Sequence, residues 1–234
     1  ALAWQALSAA VVALILLPLL SLGAGGATAV QPTWAEENDP YYFPETGFRI
    51  SEPRFQDYFD KRGKLRTFGY PVSRKFTLLG TEVQIFQRRV MQIRPDGSVG
   101  LLNLLDDDLM PYNCINGAEM PAKDNGLVAK APPPGSENYM SLIMDYVQSN
   151  SPDTWTSQQR ELQTNFYRTY NDTVKLEDAY PDGDGDVNWL PGLNLEMWGV
   201  PTSLPALDPR NFEFAYLRYQ RGFLHFDTAT GLTK

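Results

Sequence analysis

Trp198-Gly199-Val200-Pro201-Thr202-Ser203 repeats, 130 positions later, the pattern of Phe68-Gly69-Tyr70-Pro71-Val72-Ser73. Each stretch has an aromatic residue, Gly, a variable residue, Pro, a variable residue and Ser. Gly tolerates a backbone conformation that other residues avoid, Pro has a fixed φ, and the Ser side chain can form a hydrogen bond with the backbone of the turn. An alternating strand follows each copy, at residues 84–94 and 216–227. Two copies of so composite a pattern predict an internal repeat.

Turn residues close both copies. Pro95-Asp96-Gly97 is a strong turn signal and predicts a hairpin over residues 83–101. Thr228-Ala229-Thr230-Gly231 stands at the corresponding place in the second copy. We therefore expect Pro71 and Pro201 to occupy equivalent turns.

The second copy resembles a known family. Leu193 to Ser203, Tyr219 to Asp227 and Thr230-Gly231 are similar to the LGFP-type repeats of bacterial cell-surface proteins. A more diverged first copy is carried by Thr46-Gly47, Phe68-Gly69-Tyr70-Pro71 and Phe86-Gln87-Arg88. The resemblance covers residues 43–105 and 187–234. It implies an exported protein, since members of the family are exported and some serve as envelope-associating modules.

Residues 1–30 carry no charged side chain. About 20 apolar residues cross a bilayer core as a helix, and residues 4–24 meet that length. A secretory signal peptide is one interpretation, because Ala27-Thr28-Ala29 has a small-x-small cleavage pattern. A simple membrane anchor is the second. The third is an assembly helix that packs in a filament core, with Ala1 as a mature N-terminus.

The third interpretation is a resemblance to type IV pilin-like subunits, which begin with an uncharged helix and continue into a surface domain. Gln5 stands near the start, where bacterial type IV pilins usually carry a glutamate. Small residues on one side of the helix would let copies of this chain approach closely. The predicted assembly helix uses Ala3, Ala6, Ala10, Ala13, Leu14, Leu17 and Pro18.

These observations predict an α+β fold with a long N-terminal apolar helix and a β-hairpin-rich globular body. The expected segments are the helix at 1–30, a linker at 31–47, a first repeat at 48–112, a helical insert at 113–186 and a second repeat at 187–234. The predicted short helices are 51–63 with Ser51 as N-cap, 136–147, and 157–170 with Leu162, Phe166 and Tyr170 inward.

Composition restricts the function. Twenty basic against 28 acidic residues give a formal net charge of −8, which argues against nucleic acid as a partner. Cys114 is the single cysteine, so a disulfide bond could form only between two chains. His225 is the single histidine, which excludes a His-rich metal site. No nucleophile elbow, phosphate loop or dinucleotide fingerprint is present, so we predict a protein that is not an enzyme. Paired carboxylates of a hydrolase depend on the fold, and that alternative stays open.

Asp182, Asp184 and Asp186 alternate with glycines, the arrangement that a hard, oxygen-seeking cation such as calcium needs. A complete EF-hand loop would have Gly at Val187 and Glu at Leu193. A solvated acidic turn is the alternative interpretation.

The first repeat is basic. One interpretation is an ordinary charged hairpin face; the functional interpretation is docking onto an acidic partner, an anionic envelope polymer or lipid headgroups. Its cations are Lys61, Arg62, Lys64, Arg66, Arg74, Lys75, Arg88, Arg89 and Arg94. The sequence thus predicts an exported structural protein of the cell surface, assembling into an extracellular filament through residues 1–30. The alternative is a membrane-anchored envelope-binding module or an accessory subunit of a membrane complex.

Overall fold

Both turn motifs lead into small antiparallel sheets. A computed structural model describes residues 39–107, 109–158, 160–180 and 182–234. The segment predicted as a linker contains β1 (Tyr42–Phe43). The first repeat contains β2 (Phe48–Arg49), α1 (Pro53–Asp60), α2 (Lys64–Phe68), β3 (Phe76–Leu78), β4 (Thr81–Ile85), β5 (Val90–Ile93) and β6 (Val99–Leu101). The insert contains β7 (Cys114–Ile115), β8 (Ala118–Glu119), α3 (Asn125–Val128), α4 (Tyr139–Asn150), β9 (Trp155–Ser157), β10 (Arg160–Leu162), α5 (Phe166–Asn171) and α6 (Leu176–Ala179). The second repeat contains a 3₁₀ turn (Val187–Trp189), α7 (Leu190–Trp198), β11 (Ala206–Asp208), β12 (Asn211–Arg218), β13 (Phe223–Asp227) and β14 (Leu232–Thr233).

The two sheets have the same topology. Strands β3 to β6 form one antiparallel meander in chain order, and β11 to β14 form another. A helix ending in an aromatic residue precedes each sheet, α2 before the first and α7 before the second.

The predicted equivalence of the two proline turns is confirmed. Pro71 forms an isolated antiparallel bridge with Phe86, and Pro201 forms the same bridge with Tyr219. Each bridge ties the turn to the residue just after the second strand of its sheet. The turn therefore fixes where the helix ends relative to the sheet.

Glycine and glutamine complete this turn in both copies. Gly69 and Gly199 have φ of 70° with ψ of −171° and −159°, a region that is essentially restricted to glycine. The Gln87 side-chain carbonyl accepts a 3.1 Å hydrogen bond from the backbone N–H after Gly69. Gln220 makes the same 3.1 Å bond to the backbone N–H after Gly199. A Cβ at either glycine would meet that glutamine side chain at 2.7 Å in the first copy and 2.2 Å in the second.

Serine anchors the strand that follows. Ser73 Oγ accepts from the backbone N–H of Ile85 at 2.9 Å, and Ser203 Oγ accepts from that of Arg218 at 3.2 Å. The serine of the motif thus bonds into the neighbouring strand, as a side chain competing for backbone partners can.

Helix α1 presents one apolar face. Phe55, Tyr58 and Phe59 are buried, at the i, i+3 and i+4 spacing of a single helix face. Pro53 occupies the first turn, where its missing N–H costs nothing. The N-cap is Glu52, one residue after the predicted Ser51.

The predicted helix over residues 157–170 is wrong. Strands β9 and β10 pair as an antiparallel hairpin, and Gln158 between them has a positive φ of 49°. Asn165, with φ of 48°, then precedes the short helix α5. Leu162, Phe166 and Tyr170 are nonetheless all buried. The spacing of four therefore identified the buried residues correctly. It did not identify the secondary structure, because Leu162 lies on a strand and the other two lie on a helix.

One hydrophobic core joins the two repeats and the insert. Tyr219 of the second repeat lies 5.5 Å from Tyr170 of the insert and 5.4 Å from Trp198, measured between ring centroids. In the first repeat, Phe59 packs on Phe68 and Phe86. The described residues from Pro40 onward consequently form one compact unit.

The fold prediction needs a correction. The described residues are α+β with short helices and antiparallel strands, as expected for the body, but the long apolar helix of that prediction is wrong. The longest helix they contain, α4, spans 12 residues, which at 1.5 Å per residue is about 18 Å. Residues 1–30, on which the long helix is predicted, lie outside the described residues. Among the helices of the described part of the chain, none combines the length and apolar character needed to span a membrane.

Candidate functional site

The two repeats meet at an arginine and a tryptophan. The Arg89 guanidinium carbon lies 4.0 Å from the centroid of a Trp198 ring, a cation–π contact. Arg89 Nε also donates to the Met197 carbonyl at 3.2 Å. Gly222 leaves room for this stack, because a Cβ there would lie 3.3 Å from Arg89 Nη1 and 3.2 Å from the Trp198 ring.

Arg89 is a buried cation without a carboxylate partner among the described residues. Burial lowers its pKa to about 9, and repulsion from Arg221 and Arg88 contributes further. A buried charge is costly unless it is paired. The seam between the repeats is therefore electropositive for a physical reason: three guanidiniums lie close together within it.

Arg88 and Arg221 hold equivalent places in the two repeats. Arg88 Nη1 donates to the carbonyls of Leu65 and Arg66 in α2, at 3.1 and 2.7 Å. Arg221 Nη1 donates to the carbonyls of Leu195 and Glu196 in α7, both at 3.2 Å. Each guanidinium thus satisfies carbonyls near a helix C-terminus, where a positive charge is favourable.

An open groove of about 1000 Å³ runs along this seam. We call it the seam groove, and its charged lining residues are Arg66, Arg88, Arg89, Arg168 and Lys234 against Asp153 and Asp172. Trp198 and Tyr167 contribute aromatic surface. All three segments of the body line it, so the groove exists only in the assembled fold.

Positive charge in the seam groove exceeds what its carboxylates compensate. Arg66 pairs with Asp178. Arg88, Arg168 and Lys234 are exposed and form no ion pair with any carboxylate of the described residues. The Asp153 carboxylate accepts from the backbone N–H of Arg168 at 2.9 Å instead of pairing with its side chain. Clefts lined by one sign of charge concentrate ligands of the opposite sign.

Several other cations of the first repeat are engaged within the molecule. Their pairs are Lys61 with Asp57, Arg62 with Glu196, Lys64 with Asp60, and Lys75 with both Glu52 and Glu82. Arg62 also joins the two repeats, since Glu196 lies on α7 and receives a 2.8 Å hydrogen bond from Tyr58 Oη as well. The basic surface without carboxylate partners is therefore smaller than predicted for the whole first repeat. It includes Arg88 at the seam groove and Arg94 outside it.

The acidic loop does not bring its three aspartates together. The Asp186 carboxylate accepts from both nitrogens of Asn188, at 2.9 and 2.8 Å, and caps the following 3₁₀ turn. Asp182 and Asp184 line a separate surface pocket of about 980 Å³ that also contains Lys61. Among the described residues, no group of three or more His, Cys, Asp or Glu side chains is placed to hold a metal ion. The calcium site stays a prediction.

The predicted assembly residues, Ala3, Ala6, Ala10, Ala13, Leu14, Leu17 and Pro18, lie outside the described residues. Assembly into a filament therefore also stays a prediction. Arg168 and Lys234 are the residues that sequence reasoning missed. They are isolated cations in a turn-rich insert and after a terminal strand, and no local pattern connects them with Arg88.

No protein-family model, curated protein or solved structure matches this chain.

Proposed function

We propose that the body from Pro40 to Lys234 is a non-enzymatic module that binds an anionic polymer of the cell envelope in the seam groove. The observation that carries the proposal is the uncompensated positive charge of Arg88, Arg168 and Lys234 around the buried Arg89. The whole chain has a net charge of −8, so general electrostatics would repel a polyanion. A positive groove on such a protein indicates a local site.

The chemistry of the groove favours phosphate-bearing polymers. Arginine presents a planar fork of donors that matches phosphate oxygens in a bidentate manner. The exposed Arg88 and Arg168 lie on different segments, so an extended polymer could contact both while a single small anion would engage fewer cations. The resemblance of both repeats to LGFP-type proteins, some of which serve as envelope-associating modules, supports an exported location at the envelope.

The test uses the purified full chain with poly(glycerol phosphate) as the probe and dextran as the neutral polymer. We expect binding of the first and none of the second, with affinity falling as salt rises because exposed charges are screened. Arg168→Gln combined with Lys234→Gln should weaken binding about tenfold, since two exposed ion pairs contribute together about 1.4 kcal/mol.

Arg160→Gln is the matched control, because Arg160 is an exposed arginine of the insert on β10 that does not line the groove. It should bind like the wild type. Equal binding of dextran, insensitivity to salt, or an equal loss in Arg160→Gln would refute the proposal. Equal affinity for a single-stranded DNA oligonucleotide would show general polyanion binding instead of envelope recognition.

A further inference from the structure

A second cavity is lined by Gly192, Leu195 and Glu196 of α7 and has more apolar residues in its lining than the seam groove has. We call it the proline cleft; it has a volume of about 630 Å³ and is lined by Pro132, Pro133, Pro134, Tyr139, Met140 and Val200 among its apolar residues. Pockets of about 300–1,000 Å³ with apolar walls and few polar groups are typical of small-molecule sites. The proline run, which in the sequence reads as a rigid linker, thus forms one wall of a cavity.

Two guanidiniums line the same cleft. Arg94 lies flat against the backbone of Gly100, since a Cβ at Gly100 would meet its Nη2 at 2.3 Å and its Cζ at 2.4 Å. Arg221 belongs to the second repeat and donates to the carbonyls of Leu195 and Glu196 in α7 of the same repeat. Burial lowers the pKa of Arg221, and the nearby charge of Arg94 contributes to that shift. Gly100 therefore leaves the space in which the Arg94 guanidinium lies, near the guanidinium of Arg221.

The positive charge of the cleft is only partly compensated by the carboxylate that lines it. Glu196 is the carboxylate that lines it, and its two oxygens already accept from Tyr58 and Arg62. Neither Arg94 nor Arg221 forms an ion pair with a carboxylate in the described part of the chain. Arg221 Nε is also buried without a hydrogen-bond partner there. A buried donor without a partner is costly.

We propose that the proline cleft binds a small amphiphilic carboxylate, with its anionic head at Arg94 and Arg221 and its apolar body against Tyr139 and the proline wall. Charge complementarity argues for the head group, because two guanidiniums face one occupied carboxylate. The apolar lining argues against a purely polar anion. This site is separate from the seam groove, so it stands or falls independently of polymer binding.

The experiment titrates the full chain, carrying ¹³C-labelled methionine methyl groups, with 4-phenylbutyrate. Met140 is the reporter, because it lines the cleft and its methyl lies 3.8 Å from the position of a Cβ on Gly192. Met120, which does not line the cleft, is the internal reference. We expect a saturable shift of the Met140 signal, and at least tenfold weaker binding of the neutral isostere 4-phenylbutyramide.

Two variants test the charge and its seat. Arg94→Gln removes the charge, and Gly100→Ala keeps it while filling the space where the guanidinium lies; each should weaken 4-phenylbutyrate binding at least tenfold. Arg210→Gln, which alters an exposed arginine paired with Glu119, should leave binding unchanged. Equal affinity for the amide, unchanged binding in Arg94→Gln, or no saturable shift of Met140 would each overturn the proposal. Circular dichroism of every variant confirms that the comparison is made between folded proteins.

Discussion

Replacing Gly199 by alanine tests the physical account of the repeated turn. The backbone there, φ 70° and ψ −159°, costs a residue with a side chain about 1–3 kcal/mol. The new Cβ would meet Gln220 Oε1 at 2.2 Å, and displacing that side chain breaks its bond to the Val200 N–H. Loss of this part-buried hydrogen bond adds about 1–2 kcal/mol. We expect a loss of about 3–4 kcal/mol in the free energy of unfolding, with Gly69→Ala showing a similar effect.

Urea unfolding of the full chain, followed by tryptophan fluorescence, measures this loss as a shift of the midpoint at constant slope. Gly80→Ala is the control, because Gly80 also has a positive φ, of 81°, but nothing lies within 4 Å of its added Cβ. It should cost only about 1–2 kcal/mol. In a double-mutant cycle, Gln220→Ala should recover only part of the overlap contribution in the Gly199→Ala background, because it removes Oε1 and Cδ but keeps the Cβ at 2.7 Å. A loss in Gly199→Ala no larger than in Gly80→Ala would refute the reasoning.

Three further predictions concern the seam, the histidine and the acidic loop. Gly222→Val should destabilise the protein by about 1–3 kcal/mol, since it overpacks against Trp198 and Arg89; an unchanged melting temperature would contradict that packing. Burial, with a contribution from Lys234, lowers the pKa of His225 below 6.5. The folded state thus binds the imidazole proton less readily than the unfolded state does. The contribution of His225 to the free energy of unfolding should be fully present above about pH 6.5 and fall as the pH drops towards the lowered pKa. His225→Phe should remove this pH dependence in thermal melts, and an identical profile in the variant would exclude the histidine as its cause. If calcium binds near Asp184, EDTA should lower the melting temperature of the wild type and not of Asp184→Asn; a wild-type melt indifferent to EDTA argues for a solvated turn.

Local chemistry made the turns predictable. The glycine, proline and serine of each motif act on their own backbone or on the next strand, so sequence spacing contains the information. The bridges of Pro71 and Pro201 follow from it. The segment around Leu162 shows where this reasoning stops. Spacing of four marks inward residues, but the positive φ of Gln158 and Asn165 divides the segment into a hairpin and a short helix.

The seam could not be predicted in the same way. Arg89 donates to the Met197 carbonyl across 108 positions, and no periodicity connects residues so far apart. Arg168 and Lys234 reach the same groove from other segments. A count of basic residues in the first repeat suggested a broad positive face, whereas most of that charge is used in ion pairs such as Arg62 with Glu196. Pairing depends on the fold, so charge along the sequence overstates charge available to a ligand.

The contact between Arg89 and Gly222 joins corresponding positions of the two repeats, since Arg89 and Gly222 offer the equivalent carbonyls to Phe86 and Tyr219. Two identical repeats would place glycine against glycine and leave a void, or set one guanidinium against another. The repeats are consequently not interchangeable at this contact. The groove is therefore lined differently by the two repeats: Arg88 and Arg89 come from the first, and Trp198, Leu224 and Lys234 come from the second.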